Sequence, residues 1–227
     1  FSVSLNVNPS SQMVDVFSDG QIVRSGDYVR ANPELRIDLK DLAPDRPLLF
    51  DTSQVSISLN DLVVPYFGKG DKNLKASEDK VDIDGQPGTG RSLFYNPSLL
   101  KGENKLKIVY RNEAGEENSS EYVLLVSDEM FVKDFYNFPN PMRTETSFIF
   151  DLTGADSPRS CKIRIYTTAG RLIKEISHTA NVGFNQVLWD GRDEDGDFIA
   201  NGVYLYKLVT EDDTKKETAT QKLVVLR

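Results

Sequence analysis

Leu35-Arg36-Ile37-Asp38-Leu39-Lys40 alternates apolar and charged residues at every step. A period of two puts one row of side chains on a core and the other in water, as in a half-buried β-strand. The same beat recurs outward in both directions. Val55, Ile57 and Leu59 repeat it, as do Val81 with Ile83, then Leu106, Ile108 and Tyr110. Farther along, Phe148, Phe150 and Leu152 form one expected inward row, and Cys161, Ile163 and Ile165 another. Stripes at the helical period are nearly absent; one short helical turn is expected near Pro97–Lys101, closed by Gly102. Turn signals punctuate the first half at Ser18-Asp19-Gly20, Ser25-Gly26-Asp27, Gly68-Lys69-Gly70-Asp71 and Gly85-Gln86-Pro87-Gly88. Thr168-Ala169-Gly170, Asp190-Gly191 and Glu211-Asp212-Asp213-Thr214 do the same in the second half. Short strands at this spacing predict an all-β chain of tandem β-sandwiches.

The boundary is expected after Tyr122–Val126, a stretch apolar on both faces and therefore assigned to a central strand. Ser127–Asn137 carries Asp128, Glu129, Lys133 and Asp134 and runs into Pro139 and Pro141, which do not suit regular pairing. The expected organisation is a sandwich over 1–127, a linker over 128–137 and a second sandwich over 138–227. Residues 1–9 fit either the tail of a preceding module or an extra edge strand.

Composition narrows the function. The 227 residues carry 27 Lys+Arg against 35 Asp+Glu, a net charge of −8, with one His and one Cys. General binders of nucleic acid or anionic membranes need a basic footprint, which this balance lacks. One Cys forms no internal disulfide, and one His with one Cys makes no Cys/His zinc cluster. No apolar run approaches the ~18–20 residues of a membrane-spanning helix. The chain starts at Phe1 without an initiator Met or signal peptide, as expected of a processed product or an excised fragment.

Three groups of residues invite chemistry, and each has a plainer explanation. Asp190, Asp193, Asp195 and Asp197 surround Gly191 and Gly196 with alternating carboxylates, the oxygen-rich pattern calcium takes. An Asp/Gly turn held by side-chain to backbone bonds explains them equally. Cys161 and His178 have the types of a nucleophile and base, but Cys161 shares its face with Ile163 and Ile165, and His178 is expected at an exposed strand end. Phe131, Phe135, Tyr136, Phe138, Tyr204 and Tyr206 could stack on sugars or pack in the interior. Lys215, Lys216, Lys222 and Arg227 are expected to form a solvated basic rim.

A series of motifs in the second half occurs in order: Tyr136–Pro141, Phe148-Ile149-Phe150, Ile163–Gly170, Gly183-Phe184-Asn185, Trp189–Asp193, Asp195-Gly196, Gly202–Tyr206 and Lys222–Leu226. This half resembles the FlgD-type immunoglobulin-like domain, which serves as the C-terminal type A sorting signal of proteins exported by the type IX secretion system of Bacteroidetes-like bacteria. The resemblance implies an immunoglobulin-like fold for the sandwich. It implies a recognition segment at Lys222, Leu223, Val224, Val225, Leu226 and Arg227, with Gly202 and Tyr204 on the neighbouring strand. Pro139, Asn140 and Pro141 would bracket the start of a strand, and Gly170 would close a hairpin. Trp189 would anchor the core, and Asp190-Gly191 would begin a turn. Met142-Arg143 departs from the family where an aromatic is frequent.

The first half resembles, through Asp19-Gly20, Gly26-Asp27, Asn32–Leu35, Leu100–Leu106 and Arg111–Gly115, the immunoglobulin-like region after the catalytic domain of gingipain-type cysteine peptidases. That group includes the type IX sortase. The resemblances together imply a non-catalytic region of a secreted or cell-surface bacterial protein. Its implied partners are the type IX machinery or sortase and an upstream domain, with no resident cofactor. Two other readings stand beside it: permanent accessory domains of a gingipain-like peptidase, and a calcium- or glycan-binding module.

Overall fold

The computed structural model describes residues 14–40, 55–65, 74–76, 81–83, 86–111, 117–212 and 215–227. Among them every regular element is a strand. In chain order the first ten are β1 (Val14–Ser18), β2 (Gln21–Ile22), β3 (Leu35–Lys40), β4 (Val55–Leu59), β5 (Leu62–Val63), β6 (Lys75–Ala76), β7 (Val81–Ile83), β8 (Gln86–Tyr95), β9 (Gly102–Arg111) and β10 (Glu117–Val126). Seven follow: β11 (Phe131–Phe138), β12 (Thr146–Thr153), β13 (Ser160–Thr167), β14 (Leu172–His178), β15 (Gly183–Trp189), β16 (Gly202–Glu211) and β17 (Lys216–Val225). The chain is all-β, as the alternation predicts, and built of immunoglobulin-like sandwiches, as the resemblance implies. Two compact units divide the described residues, one within Phe1–Ser25, Pro33–Ser98 and Asn104–Val123, the other within Gly26–Asn32, Leu99–Glu103 and Leu124–Arg227.

In the first unit one sheet runs β2-β1-β3-β8-β6, with β7 also on β8, and the other runs β10-β9-β4-β5. Leu35, Ile37 and Leu39 are buried, as are Val55 and Ile57 and, on β9, Leu106 and Ile108. Asp38, expected in water, is buried instead; its Oδ1 accepts from Ser92 Oγ at 2.6 Å and lies 3.2 Å from Arg36 Nε. The hydroxyl and guanidinium supply the partners that a carboxylate out of water requires.

Four local expectations are corrected. Residues 96–100 form no helical turn: the Leu99 amide donates to Ala31 O at 2.8 Å and not to its own turn. Gln86–Gly88 belong to β8, with Ile83 facing Gln86 across the hairpin. β10 ends its sheet instead of lying at the centre. Its apolar second face is half-buried because the Leu125 amide donates to Asp27 O and the Leu125 carbonyl accepts from the Val29 amide, both at 2.9 Å. Finally, the expected linker holds β11, paired with β12. Its charged residues face solvent while Phe135 and Asn137 turn inward, and a bulge between Lys133 and Tyr136 with Asp134 at φ 53° interrupts the alternation. Residues 1–9, Gly68–Asp71 and Asn112–Gly115, where other expectations fall, lie outside the described residues.

The second unit holds a three-stranded sheet, β11-β12-β15, and a four-stranded sheet, β14-β13-β16-β17. Phe148, Phe150 and Leu152 of β12 meet Ile163 and Ile165 of β13, Tyr206 and Leu208 of β16, and Leu223 and Val225 of β17 in one buried cluster. Aromatic rings set its geometry: Phe148 stacks on Trp189 at 6.0 Å and tilts against Tyr206 at 4.8 Å, and Phe135 meets Tyr206 edge-on at 4.9 Å. Each such side chain contributes on the order of 1.5–3 kcal/mol when fully buried.

Candidate functional site

Leu223 and Val225 point into the core, so Lys222, Val224 and Leu226 take the opposite face of the β17 segment. Lys222 and Leu226 are exposed and Val224 is half-buried. On one edge the segment pairs with β16, where Gly202 faces Val225, Val203 faces Val224 and Tyr204 faces Leu223. Tyr204 is buried and its hydroxyl donates to Ala200 O at 2.9 Å, so it supports the segment from behind.

The other edge is occupied too. Phe138-Pro139 and Asn140-Pro141 are cis peptides, and between them the Asn140 amide clamps the strand. Its Nδ2 donates to Lys222 O and its Oδ1 accepts from the Val224 amide, each at 3.0 Å, imitating a neighbouring strand. Met142 completes the pairing: its amide donates to Val224 O, and its carbonyl accepts from the Leu226 amide, each at 2.9 Å. Hydrogen bonds thus hold both edges of the segment. A protein that reads it in the folded state reads the side chains of Lys222, Val224 and Leu226.

Lys215, Lys216, Lys222 and Arg227 are exposed, as expected, but the Arg227 guanidinium is also bonded to the backbone. Its Nε donates to Arg143 O at 3.0 Å, Nη1 to Ile199 O at 3.1 Å and Nη2 to Gly191 O at 3.1 Å. Its amide donates to Asn201 Oδ1 at 2.8 Å. The guanidinium lies 4.2 Å from the centre of the Phe198 ring, which the Arg192 guanidinium also approaches, at 3.8 Å. Five rigid donors suit arginine to gather three carbonyls from two loops, Arg143 after β11 and Gly191 with Ile199 between β15 and β16. Lys215 likewise has partners, Met130 O at 3.0 Å and Glu217 at 2.7 Å.

Two carboxylates of the acidic loop bond within it. Asp193 Oδ1 accepts from the amides of Asp195 and Asp197, and Asp190 Oδ1 from that of Arg192. The Trp189 indole donates to Arg192 O at 2.9 Å, tying the loop to the core. Among the described residues no group of three or more His, Cys, Asp or Glu is placed to hold a metal ion. Asp190 and Asp193 thus brace a turn, in which Asp195 and Asp197 contribute their backbone amides. Glu194 reaches the other way: its amide donates to Ile173 O at 3.2 Å, and its carboxylate accepts from the Glu175 amide at 2.8 Å and from Lys174 at 3.2 Å. The Glu175 amide first, and then Lys174, hold the Glu194 carboxyl below the usual range. The loop thereby covers the outer edge of β14.

Cys161 and His178 are direct partners across β13 and β14. Cys161 is buried, and burial pushes its thiol up to about 12. The neutral thiol, a poor nucleophile, is therefore the form present near neutral pH. His178 is half-buried, its ring edge-on to Phe150 at 6.4 Å, rather than exposed. Trp189 is buried in the core and Gly170 lies between β13 and β14, whereas Pro139 and Pro141 do not bracket the start of a strand: they follow the end of β11, and β12 begins only at Thr146. Gly170 (φ 87°) closes the β13–β14 hairpin through its amide to Thr167 O. Met142, Phe198, Asn201 and Glu194 were not foreseen as parts of these sites. Phe198 gave the clearest missed signal, as a lone aromatic in an acidic loop.

Residues 142–214 match the FlgD Ig-like domain family. No curated protein matches the chain at a significant level. Among solved structures it is similar to dimeric latent PorU from Porphyromonas gingivalis, with 19% identity over 93% of this chain and 20% of that one, at a TM-score of 0.40. PorZ, a surface component of the type-IX secretion system of the same organism, matches with 25% identity over 41% of this chain and 11% of that one, at 0.30. Parabacteroides merdae β-glucuronidase matches with 11% identity over 94% and 24%, at 0.34. The chain spans about a fifth of the PorU chain and a tenth of the PorZ chain. The second half of the chain is thus similar to the FlgD Ig-like domain from Met142 to Thr214.

Proposed function

We propose that this chain is a non-catalytic region of a secreted or cell-surface bacterial protein, in which the second sandwich directs type IX export and surface attachment and the first is a spacer. The observation that carries the reading is the Lys222–Arg227 segment, hydrogen-bonded on both edges, with Lys222, Val224 and Leu226 turned outward. The match to the FlgD Ig-like domain and the ordered motifs around it support the same reading. A sorting signal on a folded domain must present side chains in fixed positions, and the Asn140 clamp and Arg227 anchor do this. The exporter or sortase would bind this face, and an upstream domain would be the cargo.

The test must separate recognition from folding. Deleting Leu223–Arg227 would remove two core side chains and the Arg227 anchor, so it tests both at once. The informative protein is a periplasmic reporter fused to residues 128–227, compared with the same fusion carrying Lys222→Ser, Val224→Thr and Leu226→Ser. The reporter is expected at the cell surface or in the medium of a type IX-competent host, and the triple variant in the periplasm with an unchanged melting curve. A folded parent fusion that stays periplasmic, or a triple variant exported as well as the parent, sinks the proposal.

A further inference from the structure

The three-stranded sheet of the second unit has its core on one face; its other face is unusually apolar. Register arranges that face in three rows: Lys133, Asp151 and Phe184; Tyr136, Ile149 and Gln186; Phe138, Ser147 and Leu188. Tyr136 is 48% exposed, Phe138 68%, Phe184 47% and Leu188 63%, and Ile149 lies half-buried among them. Single exposed apolar residues need no explanation, but five on one face of a small sheet make the contiguous patch that marks an interaction site.

One end of the face is acidic. A cleft of about 540 Å³ is lined there by Asp134, Tyr136, Ile149, Asp151, Phe184 and Gln221. Burial first, and then the nearby charges of Asp27 and Asp134, raise the Asp151 carboxyl above its ordinary value, and Lys133 offsets this in part. Lys133 is itself half-exposed and 4.0 Å from Asp134. The cleft thus sets two carboxylates beside two aromatic rings. A cation entering it gains charge attraction from the carboxylates and quadrupole attraction from the rings.

We propose that the outward face of the β11-β12-β15 sheet is a docking surface for an extended segment of a partner protein in which a large apolar side chain is flanked by lysine or arginine. The apolar side chain covers Tyr136, Ile149 and Phe184, and the basic group meets Asp134 and Asp151. A second copy of this chain fits poorly, because matching faces would bring four carboxylates together on chains of net charge −8. A neutral sugar could stack on the rings but offers the carboxylates no countercharge. No residue of Lys222–Arg227 lines the cleft, although Gln221 beside that segment does.

The test uses the full chain and a fluorescein-labelled peptide of alternating leucine and lysine, read by anisotropy at physiological ionic strength. Binding is expected to weaken roughly tenfold or more in Asp134→Asn/Asp151→Asn and in Tyr136→Ser/Phe184→Ser. Asn tolerates the positive φ of residue 134, so the first pair keeps the bulge. Asp195→Asn, which removes an equal kind of charge elsewhere, is expected to leave affinity unchanged. Any of four results overturns the proposal: unchanged affinity in both double variants; equal weakening by Asp195→Asn; equal binding of the leucine–glutamate counterpart; or a sedimenting dimer abolished by Tyr136→Ser/Phe184→Ser. Binding of maltohexaose in preference to the peptide, lost in the same aromatic variant, overturns it as well.

Discussion

At Gly191 the backbone has φ 77°, and a Cβ there would overlap the Arg227 guanidinium and lie 2.8 Å from Met142 Cε. Both neighbours are flexible side-chain ends, so steric relief is available; the left-handed backbone is not relieved so easily and costs ~1–2 kcal/mol for a non-glycine residue. Gly191→Ala is therefore expected to lower stability by about 1–3 kcal/mol by chemical denaturation. Arg227→Ala should add less on that background than alone, because both changes loosen the same contact. A loss indistinguishable from zero, or full additivity, would contradict the anchor. Cys161 makes a different prediction. Its folded thiol is held near 12 against an ordinary value of 9.0, so between these the folded chain keeps a proton that the unfolded chain has lost. Stability must then fall as pH rises through that window, by at most ~1.4 kcal/mol per pH unit. Tyr206, raised by burial in the same sense, adds to the trend at higher pH. Cys161→Val should flatten the slope above pH ~9 relative to the parent. Iodoacetamide should label the parent slowly at pH ~8 and rapidly once guanidinium unfolds it. Rapid labelling of the folded chain would show an accessible thiolate.

Strand edges show how elements are finished. The open edge of β14 is bonded by Glu194, and that of β17 by Asn140 and Met142, so loops satisfy backbone groups that could otherwise pair with another chain. Glu194→Ala is expected to lower the hydrogen-exchange protection of the Glu175 amide several-fold while leaving β16 amides unchanged. Since the Glu194 carboxyl is held low, its hold on that amide is complete above the ordinary carboxylate range and is lost as pH falls through its own lowered value. Undiminished protection in the variant would mean that water or another group serves the edge equally well. Elements were also where sequence was most and least legible. Phe148, Phe150 and Leu152, like Cys161, Ile163 and Ile165, could be assigned to a face because the pleat makes burial a period-two property. β11 could not, because its bulge at Lys133–Tyr136 breaks that period and its charges resemble a linker. The position of β10 at a sheet end was hidden for another reason: alternation reports which faces are covered, not which strand lies alongside. The Arg227 anchor was hidden because its carbonyl partners come from residues 28 to 84 positions away, which no local pattern encodes.

At the scale of the molecule, the hydrophobic cluster of the second unit is drawn wholly from residues between Met130 and Val225. The two earlier segments grouped with it add contacts of a different kind. The Ala31 amide donates to Ala155 O at 3.0 Å, Lys101 pairs with Asp128 at 2.7 Å on the surface, and Tyr28 meets Phe131 edge-on at 6.2 Å. One peripheral hydrogen bond contributes ~1 kcal/mol and a ring contact ~0.5–1.5, roughly 2 for the two, while the exposed ion pair is screened by solvent. A domain of ~100 residues loses roughly 4–8 °C for each kcal/mol. The fragment 128–227 is therefore expected to fold on its own, with β-type circular dichroism and one cooperative transition, melting roughly 8–16 °C below the corresponding transition in the full chain. A non-cooperative melt with strong dye binding would show that Gly26–Asn32 and Leu99–Glu103 complete the fold of this unit instead of trimming its stability. Export carried by such a fragment would then have to come from an unfolded segment, and the side-chain face at Lys222, Val224 and Leu226 would lose its rationale.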